Sequence, residues 1–226
     1  MTALVLFVSL LLVSGLPAFR NSRSRLLNLS TFCTLLVSII TSDTTVTGIF
    51  VKLVSFFHLG EFCWSILIHY DNYSFDSFLL NNSLAYTVCM LMSIIELSSP
   101  FRLPAYFQRV GLVVSITGLI VRNLALWTAL QNFTHRLAEN RSSRHVLVTG
   151  GIYSIMRHPG YAGWLLWVVG GQVLVGNPVC TTLFALISWN FFADRIRIEE
   201  SSLKEFFGDG YDHYKNRTMS GIPGIL

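Results

Sequence analysis

Charge is what this chain has least of. Only 12% of its residues are Asp, Glu, Lys or Arg, about half the ~25% of a soluble domain. Hydrophobic residues make up 52%. A water-facing exterior cannot be covered from that stock, so lipid is the expected solvent for most of the surface. No GxGxxG follows a strand pattern and no GxxxxGK[ST] occurs, which removes soluble dinucleotide and P-loop folds. No internal repeat or low-complexity tract is found. Cys33, Cys63, Cys89 and Cys180 lie in or beside apolar runs, and none forms a CxxC pair. They read as buried reduced thiols acting as small hydrophobes. The histidines are scattered, so no metal site is expected.

The net charge is +4, but the basic residues sit in short loops between apolar runs. That is the positive-inside pattern of a membrane protein, not a nucleic-acid face. The apolar runs are 2–19, 26–41, 47–70, 83–97, 103–130, 160–175 and 179–193. The first lacks a basic start and ends in Arg20, Arg23 and Arg25, so it reads as a retained helix rather than a signal core. Strict alternation puts Arg20, Arg23, Arg25, Arg136, Arg141, Arg144, Arg157, Arg195, Arg197, Lys204, Lys215 and Arg217 on one side. The other side holds Arg102, with Arg109 just inside a helix. The richer side should be cytosolic.

The expected fold is therefore all-α, a polytopic membrane protein of about seven transmembrane helices. Residues 1–130 form an N-terminal bundle of about five helices. Residues 131–226 form a second module, made of a polar linker, a helical hairpin over 160–193 and C-terminal cytosolic helices. One of these helices covers 195–207 and stops at Gly208. A shorter piece carries Tyr211 and Tyr214.

Three constellations carry candidate chemistry. His58 and Glu61 lie three apart in mid-span, either a functional pair or a polar contact between helices. Arg195 and Glu199 lie four apart and share a helix face, either an exposed ion pair or part of a ligand site. In Arg157-His158-Pro159-Gly160-Tyr161-Ala162-Gly163 the proline starts the hairpin helix and the glycines permit close backbone approach. His158 and Tyr161 share its first turn, where free N–H groups suit an anion. The alternative is an interfacial anchor of Arg, His and Tyr.

The segment His145-Val146-Leu147-Val148-Thr149-Gly150-Gly151-Ile152-Tyr153, followed by Arg157-His158-Pro159-x-Tyr161-x-Gly163, resembles isoprenylcysteine carboxyl methyltransferases. So do Asn177-Pro178, Trp189-x-Phe191-Phe192, Arg195, Glu199-Glu200, Phe206-Phe207-Gly208-x-x-Tyr211 and Gly221-Ile222-Pro223. The resemblance is dense over 145–223 and weaker through 76–81. It implies a multi-pass endoplasmic-reticulum enzyme with its active site and C-terminus in the cytosol. The implied substrates are prenylated CaaX proteins of the small GTPase type, methylated on the C-terminal carboxylate. S-adenosylmethionine would be the donor and S-adenosylhomocysteine the product.

By the same resemblance His145, Val146, Leu147, Val148, Tyr153, His158, Pro159, Gly160, Tyr161 and Glu199 would hold the cofactor. Arg195 would face the substrate carboxylate, so Arg195 and Glu199 are the expected catalytic pair. Ala138 stands where the family carries a cofactor-contacting glutamine, and the family has eight spans against the seven counted here. Competing readings are a related membrane enzyme, either an NADPH-dependent sterol reductase or a lipid methyltransferase, and a non-catalytic adaptor for prenylated tails.

Overall fold

The structure, a computed structural model, describes residues 2–14, 16–19, 21–81, 83–133 and 146–225. Among these, the regular structure is helical apart from an isolated bridge between Met156 and Met219. The helices are α1 (Thr2–Ser14), α2 (Arg25–Thr41), α3 (Val46–Ile68), α4 (Leu84–Glu96), α5 (Tyr106–Ala129), α6 (Pro159–Val175), α7 (Pro178–Phe207) and α8 (Asp209–Lys215). By length and composition, two helical stretches can cross a membrane, Val46–Ile68 and Tyr106–Asn132. α1, α2 and α4 are apolar but shorter.

Several boundaries differ from the sequence reading. α1 stops at Ser14 and a 3-10 turn covers Pro17–Phe19, because proline lacks the N–H that would continue the ladder. α5 begins at Tyr106, after Pro104. The expected break near Asp194 does not occur. α7 runs 30 residues from Pro178 to Phe207, since no Pro or Gly intervenes. It ends where Gly208 takes φ +54°. The four cysteines are all free, but only Cys89 and Cys180 are buried; Cys33 faces outward, which suits a thiol on a lipid-facing helix.

The chain divides into two compact units, and the division cuts α5, α6 and α7. Unit 1 comprises Met1–Ser115 and Val169–Leu183. Phe7, Leu35, Phe57, Phe62, Phe78 and Met90 are among its buried core residues. The polar loop after α3 is drawn into that core. A capping box at Ser74 forms a 3-10 turn over Phe75–Phe78, and the Phe78 ring stacks on Phe62 at 3.9 Å. At the α6–α7 turn, Asn177 Nδ2 donates to Ser93 O at 2.9 Å. The Glu96 carboxylate accepts from the Val179 and Cys180 amides at 2.8 Å each, satisfying the first free donors of α7.

Unit 2 comprises Ile116–Val168 and Phe184–Leu226. Within it α5 and α6 cross at small residues. A Cβ on Gly163 would lie 2.5 Å from the Arg122 amide nitrogen and 2.7 Å from Gly118 O, so only glycine permits this approach. Ala162, Phe192, Ile196 and Ile222 form its buried cluster, with Met156, Tyr161, Trp164 and Leu165 packed around it.

Candidate active site

The tail of unit 2 frames the start of α6. The Arg157 amide donates to Met219 O at 2.8 Å and the His158 amide to Ser220 O at 2.9 Å. Trp189 Nε1 donates to Pro223 O at 2.7 Å. Pro159 then opens α6 at its first position, with its φ already helical and no N–H to leave unmet.

Arg157 is neither a headgroup anchor nor simply a surface cation. Its side chain is 3% exposed, and Nε donates to Glu200 Oε1 at 2.7 Å. Nη1 donates to Lys215 O and Thr218 O. His158 Nε2 lies 3.1 Å from the same Glu200 oxygen, and Lys215 Nζ donates to Glu200 Oε2 at 2.6 Å. Glu200 therefore turns inward and joins α6, α7 and the tail. Burial alone would raise its carboxyl, but hydrogen bonds from His158, Lys215 and Arg157 hold it well below the usual range.

One position earlier, Glu199 is half-buried and meets a different partner. Tyr161 donates its hydroxyl to Glu199 Oε2 at 2.5 Å, and Arg195 Nε donates to the same hydroxyl at 2.9 Å. Tyr161 thus stands between the two residues that spacing alone pairs directly. The His158 and Tyr161 rings stack at 5.6 Å and 6°, and Tyr161 stacks on Phe192 at 4.9 Å. The Arg195 guanidinium lies 5.7 Å from the Tyr161 ring centre and 6.0 Å from that of Phe191, a cation on aromatic faces.

These groups border a cavity of ≈ 130 Å³. Val146, Leu147, Val148, Tyr153, His158, Gly160, Tyr161 and Glu199 line it, which gathers most of the expected cofactor residues. Pro159 is buried in the same turn. Arg195 touches the cavity through Tyr161. His145 and Ala138 lie outside the described residues. Arg157, which the sequence leaves between a ligand site and an interfacial anchor, also lines it, as do Leu203, Tyr211 and Tyr214, which sequence reasoning did not assign to the site. Tyr211 and Tyr214 fall three apart on α8, a spacing that could have signalled a shared face. Tyr214 donates to Tyr153 O at 2.7 Å, and burial pushes its phenol up to about 12. Burial, then the Glu200 and Arg157 charges with opposite effects, leave Tyr211 well above its ordinary value. Burial and the Glu199 charge do the same to Tyr153. All three phenols are neutral donors at physiological pH.

The other candidate pair sits in unit 1. His58 is fully buried, with Nδ1 2.8 Å from Phe78 O and Nε2 2.8 Å from the Tyr86 hydroxyl. Glu61 is 2% exposed.

The family model for the isoprenylcysteine carboxyl methyltransferase family matches residues 110–205. Protein-S-isoprenylcysteine O-methyltransferase of Xenopus laevis is 39% identical over 209 residues, covering 90% of this chain and 73% of that protein. Its Dictyostelium discoideum namesake is 42% identical over 187 residues, covering 79% and 77%. The human one is 38% identical over 199 residues, covering 85% and 70%. A solved structure of a eukaryotic intramembrane Ras methyltransferase of this kind superposes with a TM-score of 0.75 at 28% identity, over 99% of this chain and 93% of that one.

Proposed function

Since this chain belongs to the isoprenylcysteine carboxyl methyltransferase family, we propose that the cavity beside Tyr161 is its active site, with S-adenosylmethionine as donor and Arg195 holding the acceptor carboxylate. The chain is a membrane methyltransferase that esterifies the carboxyl group of prenylcysteine. The observation that carries the division of roles is the Tyr161 hydroxyl, which joins Arg195 to Glu199. Arg195 lies against Tyr161 and the outward-facing Phe191. A cation on an apolar rim suits an anion carried at the end of a hydrocarbon chain.

The lining fits the donor. Glu199 offers an acceptor-only carboxylate for a hydroxyl or cationic group. Val146, Leu147 and Val148 supply apolar walls, and Tyr153 supplies a ring face. Gly160 leaves the wall thin, because a Cβ there would lie 3.0 Å from the Phe133 ring and 3.2 Å from Arg122 Nη1. When bound, S-adenosylmethionine supplies a methyl group made electrophilic by its sulfonium charge.

The protein's own residues need move no proton. An α-carboxyl titrates near about 3.5, so the acceptor is ionised at neutral pH without a base. Arg195 fixes the carboxylate, and Tyr161 fixes Arg195, which lowers the entropic cost of alignment. The Tyr161, Trp164 and Phe192 rings keep water from the place where opposite charges neutralise.

We further propose seven spans in the endoplasmic-reticulum membrane, the cavity facing the cytosol, and prenylated CaaX proteins of the small GTPase type as substrates. The uneven placement of basic residues across alternating loops supports the orientation, and the relatives' named activities support the substrates. The reductase and adaptor readings explain neither the Arg195–Tyr161–Glu199 relay nor the relatives' named activity. The test is the purified protein in bilayer discs with labelled S-adenosylmethionine and a farnesylcysteine analogue. A base-labile methyl ester is expected. Binding of S-adenosylhomocysteine without ester formation would refute the acceptor, and absence of that binding would refute the donor.

A further inference from the structure

Arg157 and Tyr211 both line the cavity, and each carries a buried donor that no described residue meets. Nη2 of Arg157 and the hydroxyl of Tyr211 have no hydrogen-bond partner among the described residues. Both side chains are buried, Arg157 with 3% of its side chain exposed and Tyr211 with 1% of the residue exposed. Both line the same cavity wall set that contains Glu199 and Tyr153. Buried donors are almost always paired in folded proteins. Here the rest of the Arg157 fork is taken up by Glu200, Lys215 O and Thr218 O, which orients the remaining arm.

The local charge is also unbalanced. Arg157 and Lys215 are two cations around the single carboxylate of Glu200. Of these groups Arg157 lines the cavity, and a guanidinium beside a neutral phenol donor suits a carboxylate. Tyr211 is held protonated by its burial, so toward an anion it acts as a donor.

We propose that Arg157 and Tyr211 recognise the α-carboxylate of the methyl donor's amino-acid moiety. The proposal rests on reading the cavity as the S-adenosylmethionine site. It adds two binding residues and separates the paired glutamates: Glu199 faces ligand, while Glu200 holds the arginine that faces ligand.

Tyr211→Phe is the clean probe, because its hydroxyl makes no hydrogen bond of good geometry among the described residues, although the Glu200 carboxylate is near enough to raise the phenol. Affinity is measured by calorimetry for S-adenosylhomocysteine and for its analogue lacking the α-carboxylate. The variant should bind S-adenosylhomocysteine about tenfold more weakly and bind the decarboxylated analogue as the unaltered protein does. Its ligand-free melting temperature should hold or rise. Arg157→Lys keeps the charge, shortens the fork and should show the same ligand selectivity. Equal losses for both ligands, or unchanged affinity with a lowered melting temperature, would overturn the proposal and make Tyr211 a structural partner of Glu200. Binding of neither ligand by the unaltered protein would overturn the donor reading itself. Normal binding with an indifferent Tyr211→Phe would overturn this inference alone.

Discussion

His58 and His158 are both buried, at 0% and 5% exposure, and both stack on aromatic neighbours. Their surroundings differ. Each ring nitrogen of His58 meets a protein partner, one a backbone carbonyl and the other a phenol. His158 bonds Glu200 through one edge and presents its ring to a cavity. Burial of a titratable side chain therefore does not mark function by itself. What separates the two histidines is that His58 is enclosed by its partners while His158 borders a cavity. Both ring nitrogens of His58 are met within the protein, whereas Arg157 Nη2 and the Tyr211 hydroxyl on the cavity side are not.

The strongest way to break this contrast is on the cavity side. Arg195→Ala should lower kcat/KM by about 10²–10³-fold, the scale of a lost transition-state donor, with calorimetric affinity for S-adenosylhomocysteine preserved. Loss of cofactor affinity with substrate KM intact would reverse the assignment. Next come the adjacent glutamates. Glu200→Gln leaves Arg157 and Lys215 uncompensated and should cost about 3–5 kcal/mol, read as a lower melting temperature in detergent. Glu199→Gln should leave that temperature near the original and weaken cofactor binding. If the two substitutions behaved alike, the inward and outward roles would not stand.

Acid provides a third handle. The Glu200 carboxyl holds its proton more weakly folded than unfolded. Its contribution is therefore complete above the unfolded value of about 4.3 and is lost as pH falls below it toward the folded value. Melting curves between neutral pH and about 3 should show this loss, and Glu200→Gln should flatten it. The smallest effects concern the histidines. His58→Phe should cost roughly 1–2 kcal/mol through two lost hydrogen bonds and leave ligand affinity alone. His158→Phe should weaken S-adenosylhomocysteine binding. A shift in ligand affinity for His58→Phe would dissolve the contrast.

Much of this was legible in the chain. Apolar run lengths and turn residues located the helices, and the Arg-His-Pro-x-Tyr and Arg-x-x-x-Glu-Glu patterns located the cavity. Periodicity could not see that Asp194 would be carried inside a continuous α7, because one acidic residue without Pro or Gly does not stop a helix. Nor could spacing reveal that Tyr161 would stand between Arg195 and Glu199, since that contact joins residues 34 and 38 apart. Glu200 lies off the face that Arg195 and Glu199 share, and a helical wheel knows only its own helix. The tail and Lys215 decide its direction. The segment 71–81 is mostly polar, yet Phe75 and Phe78 join the core where a capping box at Ser74 sets a 3-10 turn.

The tie between Arg157 and Thr218 spans 61 positions. During synthesis the arginine leaves the ribosome long before the carbonyls that receive it. Until Lys215 and Thr218 follow, a guanidinium destined for the interior has no place to settle, and the cavity has no closed wall. Maturation of this enzyme is thus set by a late arrival: catalytic competence should appear only once Thr218 has been made, and chains interrupted between Glu200 and Thr218 should be inserted but inert, exposed to quality control through an unsatisfied guanidinium.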